Sequence, residues 1–315
     1  MAGGHGPRGL PGARTPCYES GIVGTVGMVG LGLLGHALSR RLLSAGHHVI
    51  GYDVLPAKVE ALGAIGGAPG ASVGDVAART GTVCTVLPSL ASVEDAILGP
   101  GGVAAHAAPG TVVVQMSTIS AGLTERLAGE VAARGLGFLD CPVSGTSAMV
   151  ARGEGVIMCG GEPAAIERSR GVLEAMLPVV LVGRAGHAML VKLIANLLVG
   201  VHSLAAAEAL TMARAAGLDL PRVLDILTAG AASSRMLAIR GPMIARDEFP
   251  PQMKLDLFMK DLHLIQAEAR ALGAPVPLTD LAERLYATAL QDGHGAEDLA
   301  VVVKALTAES ASPRG

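Results

Sequence analysis

A glycine run set between a strand-like and a helix-like segment constrains this 315-residue chain more than any other feature. Thr25-Val26-Gly27-Met28-Val29 passes directly into Gly30-Leu31-Gly32-Leu33-Leu34-Gly35, and a helix-like stretch then runs through Ala45 to a stop at Gly46. His48-Val49-Ile50-Gly51-Tyr52-Asp53 reads as a second strand, so residues 25–53 form one βαβ unit closed by an acidic residue. Each glycine has a task. Gly30 permits the tight turn, Gly32 lets a pyrophosphate approach the backbone, and Gly35 lets helix and strand pack closely, while Leu31, Leu33 and Leu34 carry the turn between them. The free N–H groups at the helix N-terminus face the phosphates. A lone glycine motif is an ordinary turn; strand, helix and Asp53 together make this one a dinucleotide-binding pattern. Asp53 lies 18 residues beyond Gly35. Its carboxylate accepts hydrogen bonds from a ribose 2'-hydroxyl and repels a 2'-phosphate, so the expected cofactor is NAD in preference to NADP.

Further along, Thr82 to Leu87, Thr111 to Met116, Gly137 to Cys141, Val156 to Cys159 and Val179 to Val182 are short apolar runs rich in β-branched residues, several separated by helical patterns. They predict an α/β fold with a doubly wound sheet. From His187 onward the strand signals cease, and helices are expected near 187–216, 221–229, 255–272, 278–291 and 297–307. Gly183-Arg184-Ala185-Gly186 breaks the chain before the first of these. The organisation read from the sequence is a Rossmann domain over 21–183 and an all-α domain over 184–308. They are flanked by a disordered Gly- and Pro-rich extension at 1–20 and a polar tail at 309–315.

With 50% hydrophobic residues the chain can bury two cores. A net charge of −3 with dispersed basic residues leaves no electrostatic footprint for nucleic acid. Residues 1–20 lack an apolar signal core, so a cytoplasmic protein is expected. Cys17, Cys84, Cys141 and Cys159 show no C-x-x-C spacing, which points to reduced, inert thiols. The nine histidines lack metal-ligand spacing, and no metal is expected.

The 187–216 segment is apolar nearly all round, with Leu190, Leu193, Ile194, Leu197, Leu198, Val201 and Leu204 spread over several faces. Such a helix must be buried on most sides. Lys192, Asn196, His202 and Glu208 interrupt it and argue against a membrane span, so burial between domains or subunits is expected, in a homodimer or a homotetramer. Lys192 then needs a reason, because a buried ammonium is costly and a helical lysine ordinarily snorkels to water. Burial lowers a lysine's pKa toward neutrality, which suits proton exchange with a hydroxyl or carbonyl. Asn196, one turn later, shares the face of Lys192. Between the halves, Asp140-Cys141-Pro142-Val143-Ser144-Gly145-Thr146-Ser147 forms a small, hydroxyl-rich turn that offers N–H groups and Ser144 to an anion. Alone, it is just a turn. No G-x-S-x-G elbow surrounds Ser144, which disfavours a hydrolase nucleophile.

Four blocks, in this order and spacing, resemble the β-hydroxyacid dehydrogenase family: Val26 to Asp53, Asp140 to Gly161, Gly186 to Asn196, and Lys260-Asp261-Leu262. Leu87-Pro88 and Met116-Ser117-Thr118 resemble the family's two loops lining the cofactor cleft. The resemblance implies an NAD(P)-dependent oxidoreductase acting on a small hydroxyacid or semialdehyde. In it Lys192 is the general acid or base, Ser144 and Gly145 hold the substrate, and Asn196 orients it. The resemblance also implies that Lys260 closes over the cofactor and that Thr118 lies near the nicotinamide. Two positions depart from the family pattern. Thr146 stands where a second glycine is common and adds a hydroxyl beside the anion pocket, and Ala195 stands where an asparagine is common. An imine reductase of the same architecture, a silent nucleotide-binding relative and a methyltransferase are the competing readings. The retained lysine, the lack of a basic module and the downstream loop weigh against them respectively.

Overall fold

The computed structural model of the chain describes residues 24–311. The expected N-terminal extension and Cys17 lie outside these residues. Parallel strands β1 (Thr25–Val29), β2 (His48–Tyr52), β3 (Ala68–Pro69), β4 (Thr82–Thr85), β5 (Val112–Gln115) and β6 (Gly137–Asp140) lie in the order β3-β2-β1-β4-β5-β6. Helices cover both faces: α1 (Leu33–Ser44), α2 (Pro56–Ala64), α3 (Val73–Ala78), α4 (Leu90–Leu98), α5 (Val103–His106) and α6 (Ala121–Ala132). The strand residues alternate between two cores. Val26, Met28, Val112 and Val114 enter one, while Val29, Val83 and Val113 enter the other. Strands buried on both sides read as near-continuous apolar runs, which is why they were legible.

Past β6 the sheet departs from a purely parallel design. The chain reverses through β7 (Val143–Ser144) and α7 (Ser147–Ala151), so β8 (Val156–Gly161) runs antiparallel to both β6 and β7. The reason is the connection: the 141–155 segment is a tight loop with no crossover helix long enough to return the chain parallel. After α8 (Pro163–Met176), β9 (Val179–Gly183) pairs parallel with β8.

The rest is helical: α9 (His187–Ala215), α10 (Leu220–Ala229), α11 (Arg235–Arg246), α12 (Leu255–Ala271), α13 (Pro277–Ala289) and α14 (Val302–Ala311). A single wide turn at Leu290–His294 follows α13, and a tight turn at Leu299–Val301 precedes α14. By length and composition α9 is apolar enough to cross a membrane, yet it packs against α11, α12, α13 and α14 and supplies Leu204, Ala207 and Leu210 to their common core.

Two helices of the C-terminal half differ from expectation. Helix α11 was not expected, because Gly230-Ala231-Ala232-Ser233 reads as a break and Pro242 sits inside the segment. Ser234 nevertheless caps it by accepting the Leu237 amide at 3.0 Å, and Leu237, Met243 and Ile244 bury. Tertiary packing outweighs the cost of the internal proline. The last helix begins later than expected and continues to Ala311, because buried Asp298 accepts the Ala300 amide at 3.0 Å and pairs with Arg240 at 2.9 Å, which pins the chain before the helix starts.

Candidate active site

The turn between β1 and α1 meets the demands a dinucleotide makes. Gly30 has φ +92°, and a Cβ there would lie 2.1 Å from the Val86 carbonyl oxygen; a Cβ on Gly35 would lie 2.0 Å from the Gly30 oxygen. Only glycine fits at either position. Gly32 is different. A Cβ there would meet nothing within 4 Å, and as the N-cap of α1 it brings no side chain to the helix's first amides. Open space above an uncapped helix N-terminus is what a pyrophosphate fills. Leu31 donates its amide to Asp53 Oδ2 at 2.8 Å, and Leu55 donates to Oδ1 at 2.9 Å. The carboxylate is thereby fixed beside the turn, with Leu33 exposed and Leu34 half-buried at its rim. Opposite, the Leu87 amide donates to Ser117 Oγ at 2.8 Å, which joins the Leu87-Pro88 loop to the loop that carries Thr118. These residues fit a nicotinamide dinucleotide.

A second concavity of about 490 Å³ lies between the 144–155 loop, α9 and α11. Ser144, Gly145 and Thr146 form one wall, and Lys192, Ala195 and Asn196 form another. Lys192 is half-buried and, among the described residues, makes no hydrogen bond. Burial pushes its pKa below the usual 10.5; Lys260 pushes the same way, and Asp261 opposes both. Asn196 is buried and donates through Nδ2 to Asp261 Oδ2 at 2.7 Å. The other oxygen of Asp261 pairs with Lys260 Nζ at 2.9 Å, and Lys260 donates to the Thr118 carbonyl at 2.5 Å. A polar chain therefore leads from the cavity wall to the cofactor-side loop. Thr146 also lines the cavity, but its hydroxyl is engaged: it accepts the Met149 amide at 3.3 Å and caps α7.

Several residues were not singled out by sequence reasoning. Asp261 was noted only as the neighbour of Lys260, although it holds both Asn196 and Lys260. Asp140 lies fully buried at the end of β6, and its Oδ2 accepts the Gly186 amide at 3.0 Å and the Met189 amide at 2.9 Å. It caps the helix that carries Lys192. Burial raises its pKa to about 6 against the pull of those amides, and Oδ1 has no partner among the described residues. Arg235 and Arg240 line the cavity from α11, which the sequence reading lacked. Ser89 caps α4 by accepting the Ser92 amide at 3.1 Å. Cys84, Cys141 and Cys159 are buried free thiols, with the last two 3.5 Å apart at sulfur. Among the described residues, no group of three or more His, Cys, Asp or Glu is placed to hold a metal.

Residues 25–183 match the family described as the NAD-binding domain of 6-phosphogluconate dehydrogenase. Residues 185–306 match the NAD-binding region of NADP-dependent 3-hydroxyisobutyrate dehydrogenase. An L-threonate dehydrogenase of Cupriavidus necator is 35% identical over 281 residues, 89% of this chain and 95% of the relative. The chain belongs to the β-hydroxyacid dehydrogenase family. An NAD-dependent L-serine dehydrogenase of Pseudomonas aeruginosa is 31% identical, covering 89% of this chain and 96% of its own. The crystal structure of a 3-hydroxyisobutyrate dehydrogenase from Salmonella typhimurium superposes with a TM-score of 0.83 at 35% identity, over 89% of this chain and 99% of that one. As a β-hydroxyacid dehydrogenase, the protein is an enzyme of the dehydrogenase and reductase class that binds a nicotinamide cofactor.

Proposed function

We propose that this enzyme interconverts a small β-hydroxyacid and its semialdehyde or keto form with NAD, using Lys192 as general acid and base. The observation that carries the reading is Lys192 itself: a cavity-lining amine with depressed pKa, without a hydrogen-bond partner among the described residues, one helical turn from Asn196. A group that exchanges protons near neutral pH needs that depression.

A nicotinamide dinucleotide held by its pyrophosphate at the β1–α1 turn would supply the hydride acceptor in oxidation and the donor in reduction. In oxidation, neutral Lys192 takes the substrate hydroxyl proton; in reduction, its ammonium form protonates the developing alkoxide. Ser144 and the Gly145 backbone hold the substrate carboxylate, and Asn196, kept in place by Asp261, orients the reacting oxygen. Lys260 ties the helical half to the Thr118 loop and so helps close the site. Asp53 selects NAD over NADP through the ribose hydroxyls. On this reading residues 21–183 are the cofactor domain and 184–308 the substrate and dimerisation domain of a cytoplasmic homodimer or homotetramer.

The test is a panel of small β-hydroxyacids and semialdehydes offered with NAD(H) and NADP(H), followed by absorbance of the reduced nicotinamide. Turnover of at least one β-hydroxyacid with NAD is expected. Failure of every member with both cofactors contradicts the proposal.

A further inference from the structure

The cavity holds more positive charge than one substrate carboxylate uses. On the loop side, Glu154 faces it, but Arg152 engages both of its carboxylate oxygens at 3.0 Å. On the helical side, Arg240 is 3% exposed and pairs through Nε with Asp298, which also accepts the amides of Gln252, Met253 and Ala300. Each of these charges is compensated. Arg235 is not. It stands at the first position of α11, lines the cavity, touches Met149 Sδ at 3.9 Å, and has no carboxylate within 4.0 Å among the described residues. Arg235 on α11 is therefore a point of positive charge on the wall separate from Lys192 on α9, which alternates between amine and ammonium, with Arg240 buried on the same helix as Arg235.

The space matches this charge pattern. A cavity of about 490 Å³ has room well beyond a three-carbon hydroxyacid. No residue of the Gly30–Gly35 turn, nor Asp53, lines the cavity, so these cations face substrate and not the pyrophosphate. An arginine presents a planar fork of donors suited to a carboxylate, and Arg235, though exposed, carries that fork on the cavity wall.

We propose that Arg235 is a second anion subsite, and that preferred substrates are hydroxyacids carrying a carboxylate at the end remote from the one held by the Ser144 loop. The inference rests on the β-hydroxyacid reading above and narrows its substrate class to dianionic acids.

The probe pair is 3-hydroxyglutarate and 3-hydroxypentanoate, which differ only by a carboxylate in place of a terminal methyl. Calorimetric binding in the presence of NAD and kcat/KM should both favour the diacid by at least 10-fold in the wild-type protein. In Arg235→Gln the diacid-to-monoacid ratio should fall toward 1, and Arg235→Lys should recover part of it. Arg246→Gln removes one positive charge from the same helix outside the cavity and should leave the ratio as it was. Arg240→Gln is unsuited to the test, because it strands buried Asp298 without its partner. A ratio near 1 in the wild type, absence of diacid binding, or a preference that survives Arg235→Gln overturns the subsite, even with both acids oxidised. If neither acid is oxidised but the diacid binds more tightly and loses that advantage in Arg235→Gln, the subsite stands and the oxidoreductase reading falls.

Discussion

The amide of Met189 donates to Asp140 Oδ2 at 2.9 Å, so a carboxylate at the end of β6 caps the helix that carries Lys192 and Asn196. Gly186, the residue at the start of that helix, has no side chain with which to do so. The cap comes instead from a residue 46 positions before Gly186. Negative charge at a helix N-terminus is favourable. Complete burial works against it, and the balance leaves the carboxyl with a pKa of about 6.

That pKa sets the sign of a stability effect. The folded value lies above the unfolded 3.8, so the contribution of protonated Asp140 is fully present below about pH 3.8 and is lost as pH rises through about 6. The difference of about 2 units corresponds to about 3 kcal/mol. Asp140→Asn cannot ionise and keeps one acceptor for the helix amides. Its stability relative to wild type should therefore improve by up to about 3 kcal/mol between roughly pH 4 and pH 7, as read by urea unfolding at both. A gap that does not change with pH would show that Asp140 does not titrate in this window.

Asp53, fixed by the Leu31 and Leu55 amides, is followed by Val54 and Leu55 with no arginine beside it. NAD should be preferred over NADP by roughly 10-fold or more in kcat/KM, about 1.4 kcal/mol. Asp53→Asn should narrow the preference. Equal or better kcat/KM with NADP in the wild type contradicts the assignment.

On α9, Val191, Ile194 and Leu198 are 39%, 53% and 47% exposed. Their spacing of three and four residues puts them on one helix face, an apolar stripe that a second chain is expected to cover. Sedimentation at micromolar concentration should show a dimer or larger species. A clean monomer near 31.6 kDa would refute this.

Much of the fold was legible because its signals are local. The β1-α1-β2 unit announces itself through glycines whose spacing the turn demands, and Lys192 stands out against an apolar helix. What stayed hidden depends on distant partners. Asn196 and Asp261 are 65 residues apart, and nothing local in either segment marks their 2.7 Å contact. Arg235 was hidden for a different reason: small residues and Pro242 erase the helical signature of α11, so its cavity-facing arginines had no element to sit on. The Thr146 hydroxyl, expected beside the anion pocket, proved to be committed to the α7 cap, a role visible only once that short helix is placed.

The central claim is that Lys192 moves the proton, and replacing it tests this most directly. Lys192→Met keeps the apolar stem without the amine, and Lys192→Ala removes both; neither touches the Gly30–Gly35 turn or Asp53. NADH affinity should stay within a few-fold while kcat falls by roughly 10² to 10⁴, and the rise of the oxidation rate with pH, which burial places below the ordinary lysine value of 10.5, should vanish. With hydride transfer verified as rate-limiting by deuterated cofactor, a variant that keeps more than about a tenth of wild-type kcat and the same pH limb would show that another group carries the proton.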